Sequence, residues 1–284
     1  MKEFRKWIRE LGEPILCYLV GYEGSMFLLE LIFAQLGMPV SAAELNGVAM
    51  SFGLVALMPQ ITRERRRLDQ ERKSKINLTD AADQIRTSQR RGKRFFAAVG
   101  RVLQWILLAV FAVCSAIVLN QAVSALQLSA KFQGYHTAES SLYSVPVAIG
   151  ILTYGFVSPF AEEALFRYLL LNRVRRLTGN RVLAVLFSAL LFGIYHGNVV
   201  QGIYAAAIGV LIAVSYLYFD HYLAAFLFHM SANLSVYLLS QNKRLYQKIL
   251  EPRFFAGYVV IMIVLFLIDI LIICRRGKRQ TIKH

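Results

Sequence analysis

About eight stretches of this chain are apolar over a length that can cross a lipid bilayer, near residues 15–38, 43–60, 96–121, 143–171, 182–197, 199–219, 222–240 and 255–274. Roughly 20 apolar residues in helical conformation span the hydrocarbon layer. Apolar residues make up 57% of the 284 positions, against about 45–50% in an ordinary soluble domain. The expected fold is all-α, a polytopic transmembrane helix bundle of about eight spans.

The formal net charge of +15 does not point to nucleic acid, because the basic residues sit beside the spans. They cluster at Lys2, Arg5, Lys6 and Arg9, between Arg63 and Arg94, at Arg173, Arg175 and Arg176, and at Arg275, Arg276, Lys278 and Arg279. Placing all four clusters in the cytoplasm satisfies the positive-inside rule with an even number of spans. Both termini are then cytoplasmic, and the partner of the charge is the anionic lipid surface. Lys243, Arg244, Lys248 and Arg253 fall on the other side by this parity and fit the scheme least well. The basic amino terminus resembles a secretory signal. The apolar segment after it is too long and carries Glu13, Glu23 and Glu30, so an uncleaved first span is expected. Cys17, Cys114 and Cys274 have neither paired nor metal-binding spacing.

The segment from 61 to 95 reads as a solvated polar connector, partly amphipathic. Residues 1–142 are then flanking helices with this basic loop, 143–240 a core that holds all the candidate chemistry, and 241–284 a last span and basic tail. Within the core, Ser158-Pro159 has the form of a helix start, an N-cap followed by proline at the first helical position. It predicts a kink or restart just before Glu162.

Three patterns place ionisable groups inside spans, where they are costly and commonly functional. They are Glu162-Glu163-Ala164-Leu165-Phe166-Arg167, Phe192-Gly193-Ile194-Tyr195-His196 and His229-Met230-Ser231-Ala232-Asn233. At about 1.5 Å per residue, Glu162 lies roughly 16 Å from Arg173, His196 roughly 22 Å from Arg181, and His229 roughly 12 Å from His221. Antiparallel packing would bring all three near mid-membrane. Glu163 and Arg167 share a helix face and predict an ion pair. Glu162 points about 100° away, free to act as a base. His229 and Asn233 share a face four residues apart and can donate to a developing oxyanion.

A Glu-Glu-x-x-x-Arg helix, a Phe-x-x-x-His helix and a His-x-x-x-Asn helix, in this order, resemble the CAAX protease and bacteriocin-processing family of intramembrane proteases, also called CPBP or Abi. Glu162, Glu163, Arg167, Phe192, His196, His229 and Asn233 fill its defining positions over about residues 143–240. The resemblance implies a CAAX-protease-like membrane core and hydrolysis of a peptide bond near the membrane surface, in a membrane-anchored or membrane-associated peptide or protein substrate. It implies that Glu162, aided by His196, activates water and that His229 and Asn233 hold the oxyanion; Glu163 is counted with them in the catalytic set, as the scaffold beside Glu162, with Arg167 and Phe192 as structural support. Zinc on Glu162, His196 and His229 and a direct glutamate mechanism both stay open, since these are competent ligands but no His-Glu-x-x-His pattern occurs. A bacterial cytoplasmic membrane is the expected location. The alternative is a catalytically silent scaffold or bacteriocin-immunity protein that binds a peptide or partner protein in the same cavity. A proton-coupled transporter would also use buried Glu and His, but would more often show internal repeats.

His136, His221 and His284 read as ordinary histidines. Tyr143, Tyr216, Tyr218 and Tyr222 read as interfacial rings, Gly193, Gly197, Gly202 and Gly209 as points of close helix approach, and Glu23 and Glu30 as packing or interfacial residues, with pairing to a basic residue or facing the cavity as the alternatives.

Overall fold

The computed structural model describes residues 2–83, 93–127 and 145–281, and no strand occurs among them. His136, Tyr143, His284 and the 84–92 part of the polar segment lie outside the described residues. Helix α1 covers residues 2–35, with a π-helical stretch at Ile8–Gly12. It is followed by α2, Ala42–Asp83, and α3, Lys93–Ala125. Helix α4, residues 147–178, is one continuous helical run in which Ile151–Val157 and Ala164–Leu171 are π-helical and Ser158–Glu163 is the α-helical piece between them. Then come α5, Arg181–Tyr195, α6, Val199–Phe219, α7, Tyr222–Ser240, the short α8, Lys243–Ile249, and α9, Pro252–Thr281.

Six of these, α1, α2, α3, α6, α7 and α9, are long and apolar enough to cross a membrane. The other two expected spans are α4, which carries the charged motif, and α5, which has only 15 residues. At about 1.5 Å per residue α5 is some 22 Å long, short of the roughly 30 Å hydrocarbon layer. The chain is an integral membrane protein.

Short polar signals close the hairpins between α4 and α7. Gly179, at φ +67°, ends α4 in a left-handed cap, a conformation glycine adopts without a Cβ penalty. Asn180 Oδ1 then accepts from the Leu183 amide at 3.1 Å to start α5. Asn198 caps α6 in the same way, accepting from the Val200 and Gln201 amides, and His221 Nδ1 caps α7 by accepting from Leu223 at 3.1 Å. His221 is thus a structural cap.

Of the kink or restart expected at Ser158-Pro159, the restart is not observed. Ser158 has helical dihedrals, φ −60° and ψ −54°, and its amide donates to the carbonyl of Thr153, five residues back. A proline inside an α-helix lacks an amide donor and presses its ring on the carbonyl four residues before it. The wider π-helical turn before Pro159 makes room for that ring, so α4 passes through without a break. Such turns are common beside functional residues.

Helix α4 runs through the middle of the bundle, against α2, α5 and α7; α1 packs along α2, and α3 holds α7 and α9. Glycine sets the closest approach. A Cβ on Gly193 would lie 2.6 Å from the Gly202 carbonyl oxygen, so α5 and α6 meet backbone to backbone there. Gly197 faces nothing within 4 Å and instead supplies the positive φ of the α5–α6 turn. At the far edge, Ser215 Oγ donates to Asp269 Oδ2 at 3.3 Å and ties α9 to α6. Tyr216 and Tyr218 are buried, not interfacial. Asn172 Nδ2 donates to the Tyr216 hydroxyl at 2.6 Å, which gives that ring's polar end a partner inside the bundle.

The polar segment after residue 61 also differs from the connector expected. Its first part extends α2 as helix to Asp83 and docks on the end of α4 through charge. Glu64, fully buried, accepts from both terminal nitrogens of Arg176 at 2.6 and 2.7 Å. Arg173 donates to Gln60 Oε1 at 2.8 Å and to the Glu10 carbonyl at 2.7 Å. Arg67 reaches the Glu10 carboxylate at 3.0 Å. Bidentate pairs of this kind hold geometry where single surface pairs do not. Arg173 Nε also lies 3.7 Å from Glu64 Oε2, so Glu64→Leu leaves two guanidinium groups without their shared carboxylate and is expected to cost about 3 kcal/mol, read as a lower thermal midpoint in detergent.

Candidate active site

The two adjacent glutamates face different environments. Glu162 lines a cavity of about 440 Å³, whereas Glu163 lies behind the wall and is fully buried. Ser158, one turn before Glu162 on α4, donates its hydroxyl to Glu162 Oε1 at 2.6 Å and leaves Oε2 turned toward α7. Ser158 is a site residue that the helix-start reading concealed. Its spacing of four from Glu162 on one face was the available signal.

Glu163 Oε1 accepts from Arg167 Nη1 at 3.0 Å, the ion pair expected from the spacing. The same oxygen accepts from His229 Nδ1 at 2.7 Å. Arg167 is fully buried, and its Nη2 donates to the Gly209 carbonyl at 3.1 Å. A Cβ on Gly209 would lie 3.0 Å from that nitrogen, so the glycine leaves the guanidinium its space. Phe192 completes the support. Its ring lies under Arg167, 4.3 Å from guanidinium carbon to ring centroid, and meets the His196 and His229 rings edge to face at 4.8 and 5.5 Å.

Since Glu163 accepts, His229 Nδ1 carries a hydrogen, and its Nε2 faces Glu162 Oε2 at 3.7 Å. That exceeds a direct hydrogen bond and matches a separation at which water commonly bridges. His196 stands at the end of α5, where its Nδ1 donates to the Phe192 carbonyl at 2.8 Å. In the neutral ring this leaves Nε2 as an acceptor. Asn233 Nδ2 donates one hydrogen to the Tyr154 carbonyl at 3.1 Å and retains a second.

Glu162, Phe192, His196, His229 and Asn233 therefore all line one cavity, drawn from α4, α5 and α7, while Glu163 and Arg167 stand behind it. Helix α1 adds residues that motif spacing did not reveal. Tyr18, fully buried, shares a hydrogen bond with the Tyr195 hydroxyl at 3.3 Å, and Tyr22 and Glu23 line the cavity. Glu162, His196 and His229 do not form a metal-ligating group; among the described residues no three His, Cys, Asp or Glu side chains do. One nitrogen of His229 is committed to Glu163, and the buried Arg167 cation lies directly behind that pair. As placed, the Glu162, His196 and His229 side chains do not converge on a common point.

Residues 144–235 match the model of a protein family described as Rce1-like, type II CAAX prenyl endopeptidase. No curated protein and no solved structure matches the chain. The matched segment holds Glu162, His196, His229 and Asn233, and over it the chain is similar to the Rce1-like, type II CAAX prenyl endopeptidases.

Proposed function

We propose that the cavity hydrolyses a peptide bond of a membrane-anchored substrate by a direct glutamate mechanism. One observation carries the reading: of two adjacent glutamates, Glu162 opens on the cavity and Glu163 is spent on orienting His229. Water beside Glu162 Oε2 gives up a proton to that carboxylate as its oxygen attacks the scissile carbonyl, with His196 Nε2 accepting the second water hydrogen and fixing its orientation. The negative charge that develops on the carbonyl oxygen is met by the free amide hydrogen of Asn233 and by His229 Nε2–H, when that ring carries both protons. Glu162 then returns its proton to the leaving amine. Ser158 holds the unreactive carboxylate oxygen, so Oε2 stays directed at the water.

The roles of Glu163, Arg167 and Phe192 are to position. Glu163 sets the tautomer and plane of His229, Arg167 neutralises Glu163, and Phe192 wedges both imidazoles in place. The test is cleavage of membrane-anchored carboxy-terminal peptides by purified, detergent-solubilised protein, with products identified by mass. The protein should cut, and Glu162→Ala and His229→Ala should not. Activity should survive prolonged exposure to a strong zinc chelator; loss on chelation with recovery on added zinc would replace the glutamate mechanism with a metal-dependent one. Wild-type rates in both variants would remove the site assignment altogether.

A further inference from the structure

One wall of the cavity comes from α1, outside the matched segment, and it carries a second carboxylate. Glu23 lines the cavity together with Glu162. Helices α1 and α4 are in register where Arg173 donates to the Glu10 carbonyl at 2.7 Å. Counting from that level at about 1.5 Å per residue, Glu23 lies roughly 20 Å deep and Glu162 roughly 16 Å, the same layer of the membrane.

The acidic residues nearer the cytoplasmic end of α1 have arginine partners, Glu10 with Arg67 at 3.0 Å and Glu13 with Arg63 at 3.2 Å. Among the described residues, no hydrogen bond or ion pair engages the Glu23 carboxylate, and no Lys or Arg lines the cavity. Glu23 is exposed where it lines the cavity, so its carboxylate is open to a ligand entering there. Tyr22 donates its hydroxyl hydrogen to Asn46 Oδ1 at 2.8 Å, which leaves the phenol oxygen as an acceptor. Asn120 donates one Nδ2 hydrogen to the Ala116 carbonyl at 2.9 Å and keeps Oδ1 as an acceptor beside a second N–H. Both residues line the cavity. A carboxylate in a cavity that no Lys or Arg lines, with the Tyr22 phenol oxygen and Asn120 Oδ1 as further acceptors in the same lining, offers a complement to an ammonium or guanidinium group.

We propose that Glu23 is a specificity-determining residue that receives a Lys or Arg side chain of the substrate close to the scissile bond. The assignment rests on the protease reading of the cavity and adds the chemical class of its substrate. Norleucine, which keeps the length of lysine without its charge, is the discriminating control.

The test measures affinity without turnover. Glu162→Gln protein in lipid nanodiscs is titrated with membrane-anchored peptides that differ at one position, scanned along the peptide and carrying Lys, Arg, norleucine or Glu. At one register the Lys and Arg peptides should bind at least about tenfold more tightly than norleucine, the scale expected for a desolvated charge pair. Adding Glu23→Gln should erase that difference, and adding Glu23→Lys should transfer the preference to the Glu peptide. Equal affinities throughout the series, including no binding of any peptide, would overturn the proposal, as would a cation preference that persists in Glu23→Gln. Cleavage of the same peptides by the unsubstituted protein and by Glu162→Gln is read separately. Equal cleavage by both would sink the catalytic reading while leaving the charge preference of the cavity standing.

Discussion

Glu162→Gln should lower kcat by about 10²- to 10⁴-fold, the range that a positioned general base contributes, while leaving the thermal midpoint nearly unchanged. The separation of the two effects follows from the contacts. Glutamine has the same shape and presents a carbonyl oxygen that still accepts from the Ser158 hydroxyl, now found at 2.6 Å from Glu162 Oε1. What it cannot do is take a proton from water. Glu163→Gln is the informative contrast, because Glu163 Oε1 serves both Arg167 and His229. An amide there weakens two charge-assisted bonds at once, so stability should fall together with rate. Kinetics and melting curves on the two variants side by side test the division of labour between the adjacent glutamates. Equal rate loss at equal stability in both would contradict it.

The largest loss of stability is expected from Arg167→Met, about 3–5 kcal/mol, the cost of stranding one partner of a buried ion pair. Arg167 is fully buried and bonds Glu163 on one side and the Gly209 carbonyl on the other, with its guanidinium plane over Phe192. Methionine fills the volume and supplies none of this, so the Glu163 charge is left without its counter-ion. Arg167→Lys should recover only part of the loss, because a single ammonium cannot reproduce a fork that bonds two acceptors while stacking on a ring. Combining Arg167→Met with Glu163→Gln should cost less than the sum of the two, since the stranded charge is removed with its partner. Thermal unfolding in detergent reads all four proteins, and strict additivity would show that the pair is not coupled.

The polar positions of the core were legible in the sequence because their spacing follows the helix period. Glu163 and Arg167 are four apart and form their ion pair; His229 and Asn233 are four apart and face one cavity. The apolar runs were legible for a different reason, since a bilayer demands length and hydrophobicity and both are properties of consecutive residues. Where the reading went astray, a local signal had two physical outcomes. Ser158-Pro159 has the form of a helix start, yet the π-helical turn before it takes up the proline ring, and the serine hydroxyl goes to Glu162 instead of capping an amide. The charged segment after residue 61 is polar enough to read as a solvated connector, but Glu64 finds Arg176 and the helix continues.

Local composition and period thus determined a helical membrane bundle, the three motif helices and the pairing of Glu163 with Arg167, because each depends on residues within about one helical turn or one span of each other. Packing decided the rest. Which glutamate opens on the cavity, how His229 comes to stand between the two carboxylates, and that Tyr22 and Glu23 of α1 join the wall all depend on contacts between residues far apart in the chain. A helix period fixes which side chains share a face, but only the neighbouring helices determine what that face meets.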